Sequence, residues 1–322
     1  MMRSIIFLLF YCLTPLFSLA ALADAFGPVK VHRYATTERS YAANAYWLES
    51  ADAIVLIDAL MLIPDAENLA AVLKSRKKPL AGIFLTHPHV DHFGGLATLR
   101  RHFPGVPIFA SKAAATQVRQ VHEQAYAQGW IQSFGNDYDK QFVTPNKFLT
   151  DGEQISVGSL HFTIHAYGPM ESPDNIIIAN KETNALFTGD TVLNGQVYYL
   201  GEGFSAGTLA GLERIAGQFP PQTRAYPGHG DTGQIGAMTE DNIKQVRFMR
   251  DSFAAAMQRP RAVLPEGRLS DMARARLFGI FSEHFATRNT YGVGVETIAQ
   301  MNIAGLEKEY LTKPKSDKTA KQ

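Results

Sequence analysis

The stretch Thr86-His87-Pro88-His89-Val90-Asp91-His92-Phe93-Gly94-Gly95 is the most informative part of this sequence. It ends an apolar run that predicts a buried strand over 80–86. On an extended segment His87 and His89 point the same way, and a turn after them can bring Asp91 and His92 back over the same spot. Four side chains of metal-ligand type this close together predict a site for two metal ions.

The sequence around this stretch alternates strand-like and helix-like runs. Predicted strands cover 45–48, 53–57, 80–86, 107–110, 154–157, 160–166, 175–179, 185–188 and 224–226, and predicted helices cover 65–77, 95–103, 111–128, a run from 208, 239–258, 270–285 and 295–310. The turn at 180–184 predicts a hairpin, while other connections are crossovers. This mixture predicts a layered α/β architecture with a mixed sheet and a helical C-terminal region.

Length and charge narrow the class of protein. With 322 residues, 46% of them hydrophobic, the chain can bury a large core in one big domain or two small ones, and it is too polar for a multi-spanning membrane protein. Its 31 Lys and Arg residues balance 30 Asp and Glu residues, so no overall field draws in nucleic acid or an anionic membrane. We therefore expect a small-molecule substrate and no nucleic-acid partner.

The N-terminus resembles a secretory signal. Met1-Met2-Arg3 precedes an apolar run over 5–19, and Ala21-Leu22-Ala23 offers small residues for cleavage. A retained membrane anchor is the alternative, but Pro15 interrupts the run. We expect residues 1–23 to be cleaved, together with the only cysteine, Cys12, which leaves a periplasmic or secreted protein without disulfides or a stable membrane anchor.

The pattern His-x-His-x-Asp-His followed by two glycines resembles the signature of the metallo-β-lactamase superfamily. Three later stretches, 168–175, 187–190 and 226–230, resemble the family's remaining motifs in the right order. The resemblance spans about 44–229 and implies an αββα sandwich with metal-dependent hydrolase activity. We expect this catalytic domain to cover 24–259, a helical extension 260–311 and a disordered tail 312–322.

The resemblance also implies a set of metal ligands. Asp190 would bridge two metals, and His229 would bind the second. The third motif, 168–175, ends in Pro-Asp-Asn as in the family but has Glu171 where the family usually has histidine. The first metal would then be held by His87, His89 and Glu171, with His165 as the alternative to the glutamate. The full predicted set is His87, His89, Asp91, His92, Glu171, Asp190 and His229.

The glutamate changes the expected chemistry of the centre. Two divalent ions and the carboxylates of Asp91, Asp190 and Glu171 would leave about one positive charge, where a histidine would leave about two. We expect two divalent metals, zinc first; because oxygen donors favour harder ions, manganese and iron are the alternatives. A metal-bridging hydroxide would attack the substrate, with Asp91 orienting it or accepting its proton.

The bond cleaved is left open among ester, lactone, amide and sulfate ester. A β-lactamase is the alternative enzyme, but the lysine that one branch of those enzymes uses for the drug's carboxylate is replaced here by Leu193. A non-catalytic binding protein that retains the fold is the third hypothesis. The segment 192–204, with Asn194, Tyr198, Tyr199 and Phe204, is the predicted apolar wall beside the site, and Leu193 is a further candidate substrate residue in it. The predicted covering loop contains Trp130, Phe134 and Tyr138. The C-terminal helices are the predicted contact of a homodimer.

Overall fold

The structure is a computed structural model that describes residues 28–129 and 131–312. The predicted signal segment, Cys12, Trp130 and the predicted tail from residue 313 onward lie outside the described residues. Among the helices that the structure does describe, none is both long enough and apolar enough to cross a membrane.

The first of two six-stranded sheets is built by the N-terminal half of the chain. Its strands, in spatial as well as chain order, are Lys30–Ala35 (β1), Asn44–Glu49 (β2), Ile54–Ile57 (β3), Leu80–Phe84 (β4), Ile108–Ser111 (β5) and Lys147–Leu149 (β6). The first three strands pair antiparallel, and β3 to β6 pair parallel. The mixed pairing that the sequence predicts is therefore confirmed.

The second sheet is built by the following part of the chain. Its strands are Gln154–Val157 (β7), Leu160–Gly168 (β8), Asn175–Asn180 (β9), Ala185–Gly189 (β10), Arg224–Pro227 (β11) and Gly233–Gln234 (β12), and the spatial order runs from β12 to β7. Only β10 and β11 pair parallel; the other neighbours are antiparallel. The predicted hairpin joins β9 and β10.

Helices cover the outer faces of both sheets. They are Ile63–Ser75 (α1), Val90–Phe93 (α2), Leu96–His102 (α3), Lys112–Ala127 (α4), Ser205–Gln218 (α5), Ile235–Met257 (α6), Asp271–His284 (α7) and Val295–Thr312 (α8). Short 3-10 turns lie at Glu38–Ser40 and Ile131–Asp137. The long helices agree with the sequence prediction to within a few residues, and α4 begins after Ser111, whose side chain accepts a hydrogen bond from the backbone N–H of Ala114.

Three apolar clusters hold these layers together. One lies between the sheets, where Phe84 of β4 packs against Phe162 of β8 with ring centroids 4.9 Å apart. The second joins the first sheet to α1, α3 and α4, and the third joins the second sheet to α5 through α8. This is the αββα sandwich that the resemblance implies, with helices of the C-terminal region added to the second sheet.

The strand order sets the position of the functional residues. The loops that follow β3, β4, β10 and β11 all leave the sandwich at one edge, and the backbone N–H of Ile176 in β9 donates to Thr86 O, which joins the two sheets there. Since carboxyl ends of parallel neighbours share an edge, residues distant in sequence meet at this point.

Candidate metal centre

The structure brings all seven predicted ligand residues together at this edge. His87 and His89 lie between the end of β4 and α2, and Asp91 and His92 lie in α2. Glu171 lies in the loop between β8 and β9, and Asp190 and His229 lie just after β10 and β11. All seven side chains are buried except that of His89, which is 18% exposed. The approach to the site is therefore from the side of His89.

The side chains form two groups of ligand atoms that share one residue. The groups are His87, His89, Glu171 and Asp190, and Asp91, His92, Asp190 and His229. Within each group the ligand atoms lie within 4.8 Å of one another. His229 Nε2 lies 3.1 Å from Asp91 Oδ2 and 3.2 Å from Asp190 Oδ2, which is close enough for one cation to contact all three.

Atoms without hydrogen-bond partners test whether these residues fit metal ions. His87 Nε2, Glu171 Oε2 and Asp190 Oδ1 are buried and have no hydrogen-bond partner in the described structure. A buried polar atom of this kind costs about 1–3 kcal/mol unless something satisfies it. All three belong to the two ligand groups, and imidazole nitrogen with carboxylate oxygen is a donor set that zinc, iron and manganese accept. The residues therefore fit a pair of divalent cations.

The pKa values show how strongly the charges of this centre interact. Burial raises the pKa of Glu171 to about 7, although the neighbouring His89 opposes the rise. Burial would also raise the pKa of Asp190, but the nearby His229 and His92 outweigh it and hold that pKa well below its ordinary value. The centre thus concentrates negative charge that positive neighbours stabilise, which is the property of a cation site.

Asp58, which the sequence analysis missed, orients two of the histidines. Its carboxylate accepts hydrogen bonds from the backbone N–H of Thr86 at 2.9 Å and from the Thr86 hydroxyl at 2.9 Å, and it lies 2.9 Å from His92 Nδ1. Thr86 Oγ1 in turn lies 2.9 Å from His87 Nδ1. Both histidines are thereby held with Nε2 toward the ligand groups. An aspartate directly after the buried run 53–57 was the available signal.

The loop of the third motif, 168–175, is also held in place by a residue that is not a ligand. Asn175 is fully buried and donates to Gly168 O at 3.0 Å and to Ser172 O at 2.8 Å, which closes the loop around Glu171. His165, the alternative ligand, lies on β8 and its Nδ1 is 2.9 Å from Gln218 Nε2. The structure thus brings Glu171, and not His165, into the centre.

The predicted substrate wall and the predicted covering loop both need correction. Leu193 and Tyr198 are fully buried in the apolar cluster of the second sheet, and Tyr138 is 2% exposed, so in this conformation none of the three can contact a substrate. Their apolar character reflects packing in the core. Asn194 donates to Asp231 O at 2.9 Å and so braces the loop after His229.

One residue of the predicted wall, Tyr199, lies nearer the approach to the centre, and one residue of the predicted covering loop, Phe134, is partly exposed as Tyr199 is. The ring of Tyr199 is 6.0 Å from that of His89 and is partly exposed. Phe134 is partly exposed as well and packs edge-to-face on Tyr41. Burial, and after it the negative charge of Asp91, raises the pKa of Tyr41 to about 12.

Comparison with known proteins supports the fold. A model of the Metallo-beta-lactamase superfamily matches residues 40–229, which is more than half of the chain. A hydroxyacylglutathione hydrolase of Yersinia enterocolitica is 28% identical over 187 residues, 58% of this chain and 59% of that enzyme. A thioesterase of Emericella nidulans is 29% identical over 194 residues, 58% of this chain and 46% of that protein. The chain thus spans about half to three fifths of the length of these curated relatives.

A solved structure supports the fold. It is that of a metallo-beta-lactamase family protein from Thermus thermophilus, with a TM-score of 0.62 at 17% sequence identity. The superposition covers 87% of this chain and 92% of that protein, so the likeness extends beyond the residues that the family model matches.

Proposed function

Because the chain belongs to the metallo-β-lactamase superfamily, we propose that it is an exported, metal-dependent hydrolase of small-molecule thioesters or esters. The observation that carries this proposal is the pair of ligand groups that share Asp190 and contain unpartnered buried atoms. Ions bound there would supply Lewis acidity, which polarises a carbonyl and activates water.

The protein's own residues hold the reacting groups and move the proton. Imidazole and carboxylate ligands fix the centre, and Asp58 fixes the imidazoles. Among the three carboxylates, the side chain of Asp91 is the most exposed, 11% against 4% for Asp190 and 2% for Glu171. Asp91 is therefore the carboxylate that an attacking water reaches, and we propose that it orients that water and accepts its proton.

The relatives favour thioesters among acyl substrates. Two of them are named as a hydrolase of a hydroxyacylglutathione and as a thioesterase. Lactones and amides present the same kind of carbonyl, and sulfate esters a sulfuryl centre, so they belong in the same assay. For a β-lactamase, the position of the carboxylate-binding lysine holds Leu193, whose side chain is fully buried, so that position offers no cation to the drug.

We propose zinc as the first choice of metal, with manganese or iron as alternatives. The imidazoles of both ligand groups suit zinc, while Glu171 adds a third carboxylate whose oxygen donors favour the harder alternatives, manganese and iron. Metal analysis of protein purified without added metal tests the identity. Glu171→Ala should lower the metal content, whereas His165→Ala should not; the reverse result would exchange their roles.

Export is proposed from residues 1–23 alone, because the apolar run 5–19 and the small residues at 21–23 have the order of a cleaved signal. N-terminal sequencing of the protein made in a bacterial host tests it. A first residue near 24 supports export, and a first residue at Met1 contradicts it.

The activity is tested with a panel of chromogenic thioesters, esters, lactones, amides, sulfate esters and the β-lactam nitrocefin, with and without chelator. We expect metal-dependent hydrolysis, fastest for a thioester, and about a 100-fold or larger fall of kcat in Asp91→Asn. His165→Ala is the matched control, since it removes an imidazole outside the centre. Metal binding without hydrolysis of any substrate would favour the binding protein, and preferential nitrocefin hydrolysis would favour the β-lactamase.

A further inference from the structure

The segment between Asp190 and α5 is irregular but largely buried, so its backbone groups need partners other than a helix or sheet. Carboxamide side chains of the C-terminal helices supply them. Asn242 of α6 both accepts from Leu193 N at 2.8 Å and donates to Leu193 O at 3.0 Å. Gln245 of α6 accepts from Tyr198 N at 2.9 Å.

A carboxamide of α8 makes the same kind of hydrogen bond to the backbone on both sides of Tyr199. Asn302, which is fully buried, donates to Tyr198 O at 2.9 Å and accepts from Leu200 N at 2.7 Å. These two bonds fix the peptide groups on both sides of Tyr199. The direction of the Tyr199 side chain is therefore set by a helix that lies beyond the residues matched by the family model.

Two further residues on this face of α8 contact the same segment. Gly305, one turn after Asn302, packs so closely on Leu200 that an added Cβ would lie 1.9 Å from its carbonyl oxygen. Glu309, a further turn along, accepts from Ser205 N at 2.8 Å and so caps the start of α5. Residues spaced three or four apart share a helix face, so α8 presents one continuous surface to the segment.

The segment places two side chains beside His89. The Tyr199 ring lies 6.0 Å from the His89 ring, and Glu202 Oε1 lies 3.9 Å from His89 Nε2. The Glu202 side chain is 33% exposed, so it faces solvent at the approach to the centre. Lys308 of α8 lies on the outer side of Glu202, with Nζ 3.8 Å from Oε2, and is 59% exposed. We call Tyr199 and Glu202 the selecting wall.

We propose that the selecting wall favours a substrate group that is neutral or cationic over an anionic one, and that α8 sets the position of the wall through Asn302 and Gly305. The proposal rests on the function proposed above. A flat ring offers apolar contact, while the carboxylate beside it repels a negative charge that approaches His89. The exposed lysine offsets that repulsion only in part, because exposed ion pairs contribute little.

The charge preference is tested by calorimetric binding of two small thiols to the metal-loaded protein, since thiols bind metal centres without turnover. The probes are 2-mercaptoethanol, which is neutral, and 3-mercaptopropionate, which carries a carboxylate. We expect Glu202→Gln to tighten the anionic thiol by about threefold to tenfold and Lys308→Met to weaken it by about twofold, with the neutral thiol unchanged in both. Equal changes for both thiols, or none, would overturn the proposal.

The role of α8 is tested by hydrogen exchange and by the same thiol ratio. Asn302→Ala and Gly305→Ala should each speed amide exchange over 198–203 and reduce the discrimination between the two thiols toward equality. Met301→Ala, on the outer face of the same helix and 42% exposed, is the matched control and should change neither. Faster exchange with an unchanged thiol ratio would show that the helix only stabilises the fold, and it would overturn the positioning role.

These readouts separate the two proposals. If the thiols discriminate as expected but the metal-loaded protein hydrolyses no substrate of the panel, the wall stands and the hydrolase proposal fails. If a thioester is hydrolysed but Glu202→Gln leaves the thiol ratio unchanged, the hydrolase stands and the wall fails.

Discussion

Replacing Asp58 with asparagine should weaken metal binding without touching a metal ligand. The carboxylate accepts from Thr86 N through one oxygen and faces His92 Nδ1 at 2.9 Å with the other. An asparagine that keeps the bond to Thr86 must turn its NH2 group toward His92 Nδ1. The imidazole then has to accept there and carries its proton on Nε2, which faces Asp91 and Asp190.

The expected size follows from this change of proton position. To bind, a metal must then displace the Nε2 proton of His92, or the ring must rotate. Loss of a carboxylate that supports a ligand histidine costs about 10-fold to 100-fold in metal affinity, equivalent to about 1.4–2.7 kcal/mol. Competition with a chromogenic chelator measures the affinity, and the second ligand group should be the one that weakens. Asp52→Asn is the control, because Asp52 lies at the other end of β3 and its carboxylate accepts from Ser50 and Ser159, away from the centre.

Two outcomes would contradict this role of Asp58. If Asp58→Asn folds with an unchanged melting temperature and binds two metals with wild-type affinity, then the position of the His92 proton does not control the centre. A fall in stability with unchanged metal affinity would give Asp58 a role in the fold alone, because its buried carboxylate also accepts from Thr86.

Three further changes test the centre and the scaffold. Chelation should lower the melting temperature by about 5 °C, and added zinc should restore it, since a ligand at 100 times its Kd stabilises by about 2.7 kcal/mol; an unchanged melting curve would argue against bound metal. Gly228→Ala should reduce metal content, because an added Cβ would lie 2.1 Å from Asp190 Oδ1, whereas Gly217→Ala, with open space around it, should bind metal normally. Burial would raise the pKa of Glu49, but hydrogen bonds from Arg76 and Lys78 outweigh burial and lower that pKa to about 2. The metal-free protein should therefore lose about 1–2 kcal/mol of unfolding free energy as the pH falls from about 4.5 to about 2. Glu49→Gln should flatten this loss in denaturant titrations, and a parallel pH profile in both proteins would contradict the assignment.

Four of the seven candidate metal ligands could be predicted because they lie close together in sequence, whereas Glu171, Asp190 and His229 followed from the resemblance of the later motifs to those of the family. Three histidines and an aspartate in one short stretch at the end of a buried strand strongly favour a metal site, and the Pro-Asp-Asn register placed Glu171 without knowledge of the loop. The helices and central strands followed from apolar periodicity. The edge strands β1, β6 and β12 were missed, because they are short or, like β1, mix exposed charged residues with half-buried ones and show no clear apolar pattern.

The supporting residues could not be predicted in this way. A buried Asp58 or Asn302 is defined by which backbone groups lack partners, and that depends on packing between elements far apart in sequence. Tyr198 and Tyr199 are adjacent and chemically identical, yet one is fully buried in the core and the other is partly exposed beside His89. Sequence alone does not distinguish them, because their directions depend on the bonds that Asn302 makes to the chain.

The candidate ligands and the residues that hold them in place belong to different elements of the fold. Asp190 shares one ligand group with Glu171 and the other with Asp91, and carboxylates this close repel one another, which disfavours the arrangement of the ligand loops. Asp58 anchors the first motif, Asn175 closes the loop of Glu171, and the helices after residue 229 hold the segment that follows Asp190. If the C-terminal helices serve this purpose, a chain truncated before α8 should lose thiol discrimination before it loses metal, because Asn302 bonds the backbone on both sides of Tyr199 and contacts none of the ligands. Loss of both at the same truncation would mean that α8 supports the whole fold and has no separate influence on the substrate.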